Sequence, residues 1–365
     1  MKMYDYVCRI CPQAEGVIRF IRDGRCRWLF GCGQQAVNCN YIFSLIGLRP
    51  DGCMVTKPRQ KYFMGLSVLS AESLEIPRDV DVLIAVGGKA SEEIKAELEA
   101  LGYLNIYTCS DWESANATMK QAVFRKYCCR NGIDMEKPVM QLGEIRLLNP
   151  FRYPQNYSQL VYGTTFSEII VPGVFGDDRY GNAGLYALFR KRADEGKNVY
   201  DIGAGIGVFG AMAAQWGCPT TVFEPARSVL RYLYANAEHS HNMMIEEYAV
   251  SDSSGGIDFY DRENYPKYST IIPTDGYSRY TVQSVRLDEY ISGVEAKPDI
   301  IRIAVDEIAD RILIGAQEYI RKEYPDLMVA VASEEMYAGL IDTVRSLYSD
   351  YTVEKYTGWI YVYEK

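Results

Sequence analysis

The chain has 365 residues, 48% of them hydrophobic, with 48 acidic against 39 basic side chains and a net charge of -9. That length suits two domains with ample core, and the acidic balance argues against broad nucleic-acid binding, which carries a basic excess. No apolar run approaches the ~18–20 residues of a membrane span and no signal peptide opens the chain, so a soluble, cytoplasmic protein is expected.

Residues 1–110 read as an α/β unit of their own. CRWLFGCG (26–33) is a strand entering a glycine turn, 34–47 a helix, DGCMVT (51–56) a second strand and DVLIAV (81–86) a third. Gly87–Gly88 then lead into an amphipathic helix over 90–102, with apolar residues at 94, 98 and 101. LNIYTC (104–109) closes the unit, and the alternation implies a mostly parallel sheet. The turn Gly31–Ala36 is a partial dinucleotide signature, but Thr56-Lys57-Pro58-Arg59 follow the second strand where an acid is expected. A bound nucleotide and a scaffold that keeps the turn for its geometry both fit.

Ten cysteines without an export signal are expected to stay reduced. Cys8 and Cys11 form a C-x-x-C, but no second pair matches it and only His239 and His241 could add imidazoles, so no metal site is expected. Both histidines read as surface residues.

Residues 111–159 are expected to be a helical and then irregular connector. The stretch 151–182 is rich in Tyr, Gly, Pro and Asn and reads as a lid or substrate wall, with Glu168, Asp178, Tyr180 and Asn182 as its polar candidates.

The second domain, 160–365, carries the most informative segment, NVYDIGAGIGVFG followed by TTVFEP. An apolar strand running into a glycine turn and a helix is how an α/β sheet admits a nucleotide-like ligand. Gly203, Gly205 and Gly207 let the backbone turn sharply and approach that ligand. Glu224, at the end of the next strand, is placed to accept from two ribose hydroxyls. GIGVFG also satisfies the dinucleotide pattern G-x-G-x-x-G. Asp201 separates the two ligands: a carboxylate at the strand exit repels a pyrophosphate but answers a cation such as S-adenosylmethionine (SAM).

Further elements follow in order: helix 206–217, strand 220–224, helix 226–239, strand 244–250, an antiparallel element near 256–260 and a loop over 262–282. Then come strand 299–305, helix 308–322, strand 327–332, helix 334–347 and a terminal hairpin about Thr357-Gly358.

With these in place, 160–365 resembles the FkbM-type SAM-dependent O-methyltransferases. The matching pieces are VYDIGAGIGVFG, VFEP with Asn236 in the following helix, EEYAVSDSSG (246–255), VRLDEYI and IIRIAVDEIADRILIGA (300–316). The resemblance implies two Rossmann-like α/β domains, the second a class I methyltransferase fold with an antiparallel edge hairpin. It further implies SAM as cofactor and methyl transfer to a hydroxyl of a sugar or sugar-linked metabolite of surface-glycan synthesis. The partner would be a small-molecule or glycan acceptor, and a homodimer is left open. FMGLSVLSAESL (63–74) makes the first half similar to the Rossmann-like domain fused to sugar-modifying enzymes.

The family's fourth-strand motif reads K-I-D-V-E-G-A-E, where this chain has Arg302-Ile-Ala304-Val-Asp306-Glu307-Ile-Ala309. Arg302 keeps the charge, and Asp306 and Glu307 are candidate general bases, although acids at a helix start also have a purely structural use. Ser251 and Asp252 are expected at the adenine edge, beside Asp201, Gly203, Gly205, Gly207 and Glu224. The altered motif favours one alternative, a catalytically degenerate SAM-binding subunit or regulator of a glycan-assembly complex. An NAD-dependent oxidoreductase is the third reading.

Overall fold

A computed structural model describes residues 7–9, 11–23, 26–152, 161–176, 182–193, 196–262, 269–348 and 350–364. The chain divides into two compact units, 1–132 and 133–365.

In the first unit, helix α1 (Glu15–Asp23) precedes strand β1 (Arg27–Phe30), and α2 (Gln34–Leu45) leads to β2 (Gly52–Val55). A short hairpin, β3 (Tyr62–Phe63) and β4 (Leu66–Ser70), comes before β5 (Asp81–Ile84), α3 (Lys89–Ala100), β6 (Asn105–Tyr107) and α4 (Trp112–Arg130). The sheet order is β3-β4-β2-β1-β5-β6, parallel throughout except for β3. Alternation along β1 feeds two cores: Leu29 faces Val17, Ile18 and Phe43, whereas Trp28 and Phe30 face Val82, Ile84 and Leu98. Gly52 is required on β2, because a Cβ there would stand 2.5 Å from the Trp28 ring.

Helix α4 buries Trp112, Ala115, Met119 and Ala122 in the first of those cores. The stretch read as a connector is therefore divided: α4 lies in the first unit, and the boundary falls after Gly132.

The second unit opens with the hairpin β7 (Val139–Leu142) and β8 (Ile145–Leu148). A π-helical segment, Val161–Val174, with buried Val161, Ile169 and Ile170, stands within the stretch read as a lid or substrate wall. Then follow α5 (Ala183–Arg192), β9 (Val199–Ile202), α6 (Val208–Gln215), β10 (Thr220–Phe223), α7 (Arg227–Ala237), β11 (Met243–Glu246) and β12 (Ala249–Ser251). A long hairpin, β13 (Gly255–Asp261) and β14 (Ser278–Arg286), comes next, and β14 occupies part of the expected loop. After α8 (Leu287–Ser292) and β15 (Ile300–Ile303) come α9 (Ala309–Gly315), α10 (Gln317–Glu323), β16 (Asp326–Ala330), α11 (Glu334–Leu347), β17 (Thr352–Tyr356) and β18 (Trp359–Tyr363).

The main sheet runs β11-β10-β9-β15-β16-β18-β17. Its first five strands are parallel, and β18 pairs antiparallel with both β16 and β17. A period of two along β9 sends Tyr200 and Ile202 to one face, where they pack with Ile301, Leu327, Ile312 and Val344. Asp201 goes to the other face, beside Phe209 and Gly210 of α6. Helices on both faces leave the ends of the strands as the place for a ligand.

Candidate functional site

The carboxyl ends of β9, β10 and β15 form the mouth. β9 leaves the sheet through three glycines with positive φ: Gly203 at +77°, Gly205 at +58° and Gly207 at +78°. Each has a different task. A Cβ on Gly203 would come within 2.5 Å of Val305 Cγ2, and one on Gly207 within 2.4 Å of Leu233 Cδ1. A Cβ on Gly205 would meet nothing within 4 Å. Gly205 thus faces open space, whereas Gly207, expected beside the cofactor, is pressed against α7.

Glu224 closes the loop from the neighbouring strand. One carboxylate oxygen accepts from Gly205 N–H at 2.7 Å and the other from Ala226 N–H at 2.9 Å. Each oxygen keeps a second lone pair for a ligand hydroxyl. Burial pushes its carboxyl up to about 7, against the pull of those two amides, and the nearby Asp261 and Asp201 carboxylates add to the rise.

Two expected site residues are withdrawn from the mouth. Asp201 is fully buried and pairs through Oδ1 with Arg302 Nη1 at 2.5 Å. The two sit opposite one another on β9 and β15. The Arg302 guanidinium lies 4.5 Å from the Phe209 ring centre and 4.8 Å from that of Trp359. Arg302, expected in catalysis, is therefore a buried counter-ion. Asp201 is turned to that cation, so its carboxylate neither repels a pyrophosphate nor answers a sulfonium. Burial raises the Asp201 carboxyl, and Arg302 and the Gly210 amide oppose the rise.

Ser251 is buried at the end of β12, with the backbone of α9 so close that a Cβ on Gly315 would stand 2.2 Å from its carbonyl oxygen. Asp252 is held by Arg311, through Nη2 at 2.7 Å and Nε at 3.2 Å. That pairing holds its carboxyl below the usual range. Its expected place at an adenine edge competes with this ion pair.

Beyond β15, Asp306–Ile308 form one 3₁₀ turn. The Asp306 side chain lies outside the described residues, as do those of Glu168, Asp178 and Tyr180, while Asn182 is buried. Glu307 is exposed, and its Oε2 accepts from Thr270 Oγ1 at 2.9 Å.

Asp261, Ser269, Thr270 and Tyr280 were not singled out in the sequence, yet they stand at this rim. Asp261 is buried and accepts from the Tyr280 hydroxyl at 2.7 Å, Ser269 Oγ at 2.8 Å and Ser228 Oγ at 2.9 Å. The signal was alternation in SRYTVQSVR, which marks β14.

Recesses of about 260 and 230 Å³ open at the opposite, amino-terminal edge of the sheet, beside Asp299 and Asp326 and beside Asn198 and Thr220. Among the described residues no cluster of metal-binding side chains occurs and no helix is long and apolar enough to cross a membrane.

No protein-family model and no curated protein matches the sequence. Among solved structures, methyltransferase FkbM from Methylobacillus flagellatus is similar over 99% of this chain and 97% of its own, with 14% identity and a TM-score of 0.39. An rRNA methylase from Streptococcus thermophilus is similar over 51% of this chain and 96% of its own, with 12% identity and a TM-score of 0.33. Aeropyrum pernix fibrillarin, solved with natively bound SAM, is similar over 50% and 73%, with 13% identity and a TM-score of 0.32. The deciding observation is the strand order, with β18 inserted antiparallel between β16 and β17 at the edge of a parallel sheet. The second unit has the class I methyltransferase fold. Within that fold the glycine loop and Glu224 occupy the ends of β9 and β10.

Proposed function

We propose that the chain is a SAM-dependent O-methyltransferase acting on a hydroxyl of a sugar or sugar-linked metabolite, in biosynthesis of the surface-glycan type. The observation that carries this reading is Glu224, whose carboxylate bridges the Gly205 and Ala226 amides beneath the open space over Gly205. Gly205 and Glu224 fit a nucleoside there: backbone without a side chain for close approach, and a carboxylate for paired hydroxyls. A bound SAM would supply an already activated methyl group. The chain's own part is then to align an acceptor hydroxyl and take its proton. This reading assigns that second task to Glu307, which stands after β15 at the rim and accepts from Thr270.

A cytoplasmic enzyme with a small-molecule or glycan acceptor follows from the same reading. The degenerate alternative is favoured by one observation: Arg302 is locked to Asp201, and Ala304 and Ala309 carry no acid, which leaves Asp306 and Glu307 as the carboxylates of the fourth-strand motif. Asp201, paired with Arg302, no longer separates the two ligands; the oxidoreductase reading rests on the glycine pattern, and the antiparallel edge of the sheet is the feature that disfavours it.

Calorimetric titration of S-adenosylhomocysteine (SAH), SAM and NADH into the full chain and its Glu224→Ala variant tests the site. Micromolar binding of SAH, lost in the variant, supports it, and binding of NADH alone overturns it. Methyl transfer to a panel of nucleotide sugars then separates the enzyme from the degenerate subunit.

A further inference from the structure

Helix α7 starts directly after Glu224 without a cap of its own. Its N-cap is Ala226, whose methyl group cannot accept a hydrogen bond. Three successive amides are served from elsewhere. Ala226 N–H goes to Glu224 at 2.9 Å, Arg227 N–H to the Tyr280 hydroxyl at 2.9 Å and Ser228 N–H to Asp261 Oδ2 at 3.3 Å.

Tyr280 is fixed by both of its bonds, accepting from Arg227 N–H and donating to Asp261 at 2.7 Å. The Arg227 guanidinium lies 4.3 Å from the centre of its ring. Asp261 also accepts from Ser228 and Ser269, and a buried carboxylate with this many charge-assisted donors holds one geometry. The next residue, Thr270, pairs with Tyr260 along the edge of the hairpin and donates to Glu307. Its hydroxyl oxygen accepts from Ile272 N–H at 3.1 Å. Neighbouring hydroxyls, on Ser269 and Thr270, therefore reach the carboxylates on the two sides of the mouth.

We propose that Asp261 and Tyr280 are positioning residues of the cofactor site, and that the β13–β14 hairpin transmits occupancy at Gly205 and Glu224 to the segment 269–272 and Glu307. The relay runs from Gly205 through Glu224 and the 226–228 turn to Tyr280 and Asp261. From there Ser269 and Thr270 carry it to Glu307. This inference rests on Glu224 as the nucleoside-binding carboxylate. The hairpin is then a wall shared by cofactor and acceptor, which explains a buried carboxylate in an otherwise ordinary β-ribbon.

The test is hydrogen exchange of the full chain with and without SAH, together with SAH titration of Tyr280→Phe, Ser269→Ala, Ser269→Thr and Asp261→Asn. SAH is expected to slow exchange at 226–230 and 269–280 as well as at 203–210. Tyr280→Phe should bind SAH about tenfold more weakly, as loss of one hydrogen bond to a charged group does. Ser269→Ala should keep near-normal affinity but lose the protection at 269–272, and Ser269→Thr, which retains the hydroxyl, should restore it.

Asp261→Asn removes one of the two negative neighbours, Asp261 and the Arg302-paired Asp201, that raise the Glu224 carboxyl. It should move the pH midpoint of SAH affinity downward, an effect that loss of packing alone would not give. Should Tyr280→Phe fail to fold, the Ser269 pair decides. Protection confined to 203–210 and 224–226, with unchanged affinity in Tyr280→Phe, overturns the relay alone. A wild-type chain that binds no SAH overturns the relay and the cofactor reading together.

Discussion

Arg302 and Asp201 neutralise each other across adjacent strands, 2.5 Å apart and sealed between Phe209 and Trp359. Removing one partner leaves a buried charge, which costs about 3–5 kcal/mol. Urea unfolding of Asp201→Ala and Arg302→Ala should show a loss of that size for each. The double variant should lose less than the sum, by about 0.5–3 kcal/mol of coupling. Strictly additive losses would contradict the pairing.

Glu224 predicts how stability depends on pH. Its carboxyl sits near 7 in the folded chain, against 4.5 as its ordinary value. Between those values the folded chain holds a proton that the unfolded chain has released. Stability of the free protein therefore falls as pH rises from about 4.5 to 7, by on the order of 3 kcal/mol. Glu224→Gln should flatten that slope. A ligand hydroxyl donating to the ionised carboxylate would lower the pKa again, so SAH binding near pH 6.5 should release a proton. Titration in buffers of different ionisation enthalpy measures that release.

The three glycines should separate folding from binding. All have positive φ, so alanine adds about 1–2 kcal/mol of strain at each. At Gly207 the new methyl also meets buried Leu233 and Met243 Cε, and at Gly203 it meets Val305 Cγ2, adding about 1–3 kcal/mol at each. Gly203→Ala and Gly207→Ala should therefore lower the melting temperature most, and Gly205→Ala should weaken SAH most for the least loss of stability. The reverse order would remove Gly205 from the ligand face.

Asn236 ties the glycine loop to the hairpin before it. Its Oδ1 accepts from Leu148 N–H at 2.9 Å and its Nδ2 donates to Ile206 C=O at 2.7 Å, with no exposure to water. Asn236→Ala removes two buried hydrogen bonds to backbone groups, at about 1–3 kcal/mol each. Asn236→Asp keeps the acceptor but brings a buried charge, and should be no better. Denaturant midpoints of the two variants check this.

Strands such as DVLI and TTVF were legible because they are short apolar runs bounded by turn residues, and α11 matched its expected 334–347 span. The stretch 244–250 was harder. It changes sheets at Glu247-Tyr248, with β11 ending in the main sheet and β12 beginning in the small one, and periodicity along the chain does not show which neighbour a strand pairs with. The long helix expected over 308–322 breaks at Ala316, which ends α9 and caps α10.

The meeting of Glu224 with Gly205 was legible because both belong to one strand–helix–strand unit. Arg302 was misread because its partner lies 101 residues away, and a charge on a strand looks the same whether it meets a ligand or a buried carboxylate. Asp261 was missed for the same reason: it caps a helix 33 residues before it.

The Asn236 clasp also sets where the second unit can be cut. A fragment begun at residue 160 would discard the strand whose Leu148 amide fills Asn236, leaving the glycine loop held from one side. One begun at Ile133 retains it. The second unit is thus longer at its front than its motifs suggest, and ligand titrations on the shorter piece would report a broken clasp in place of the intact glycine loop.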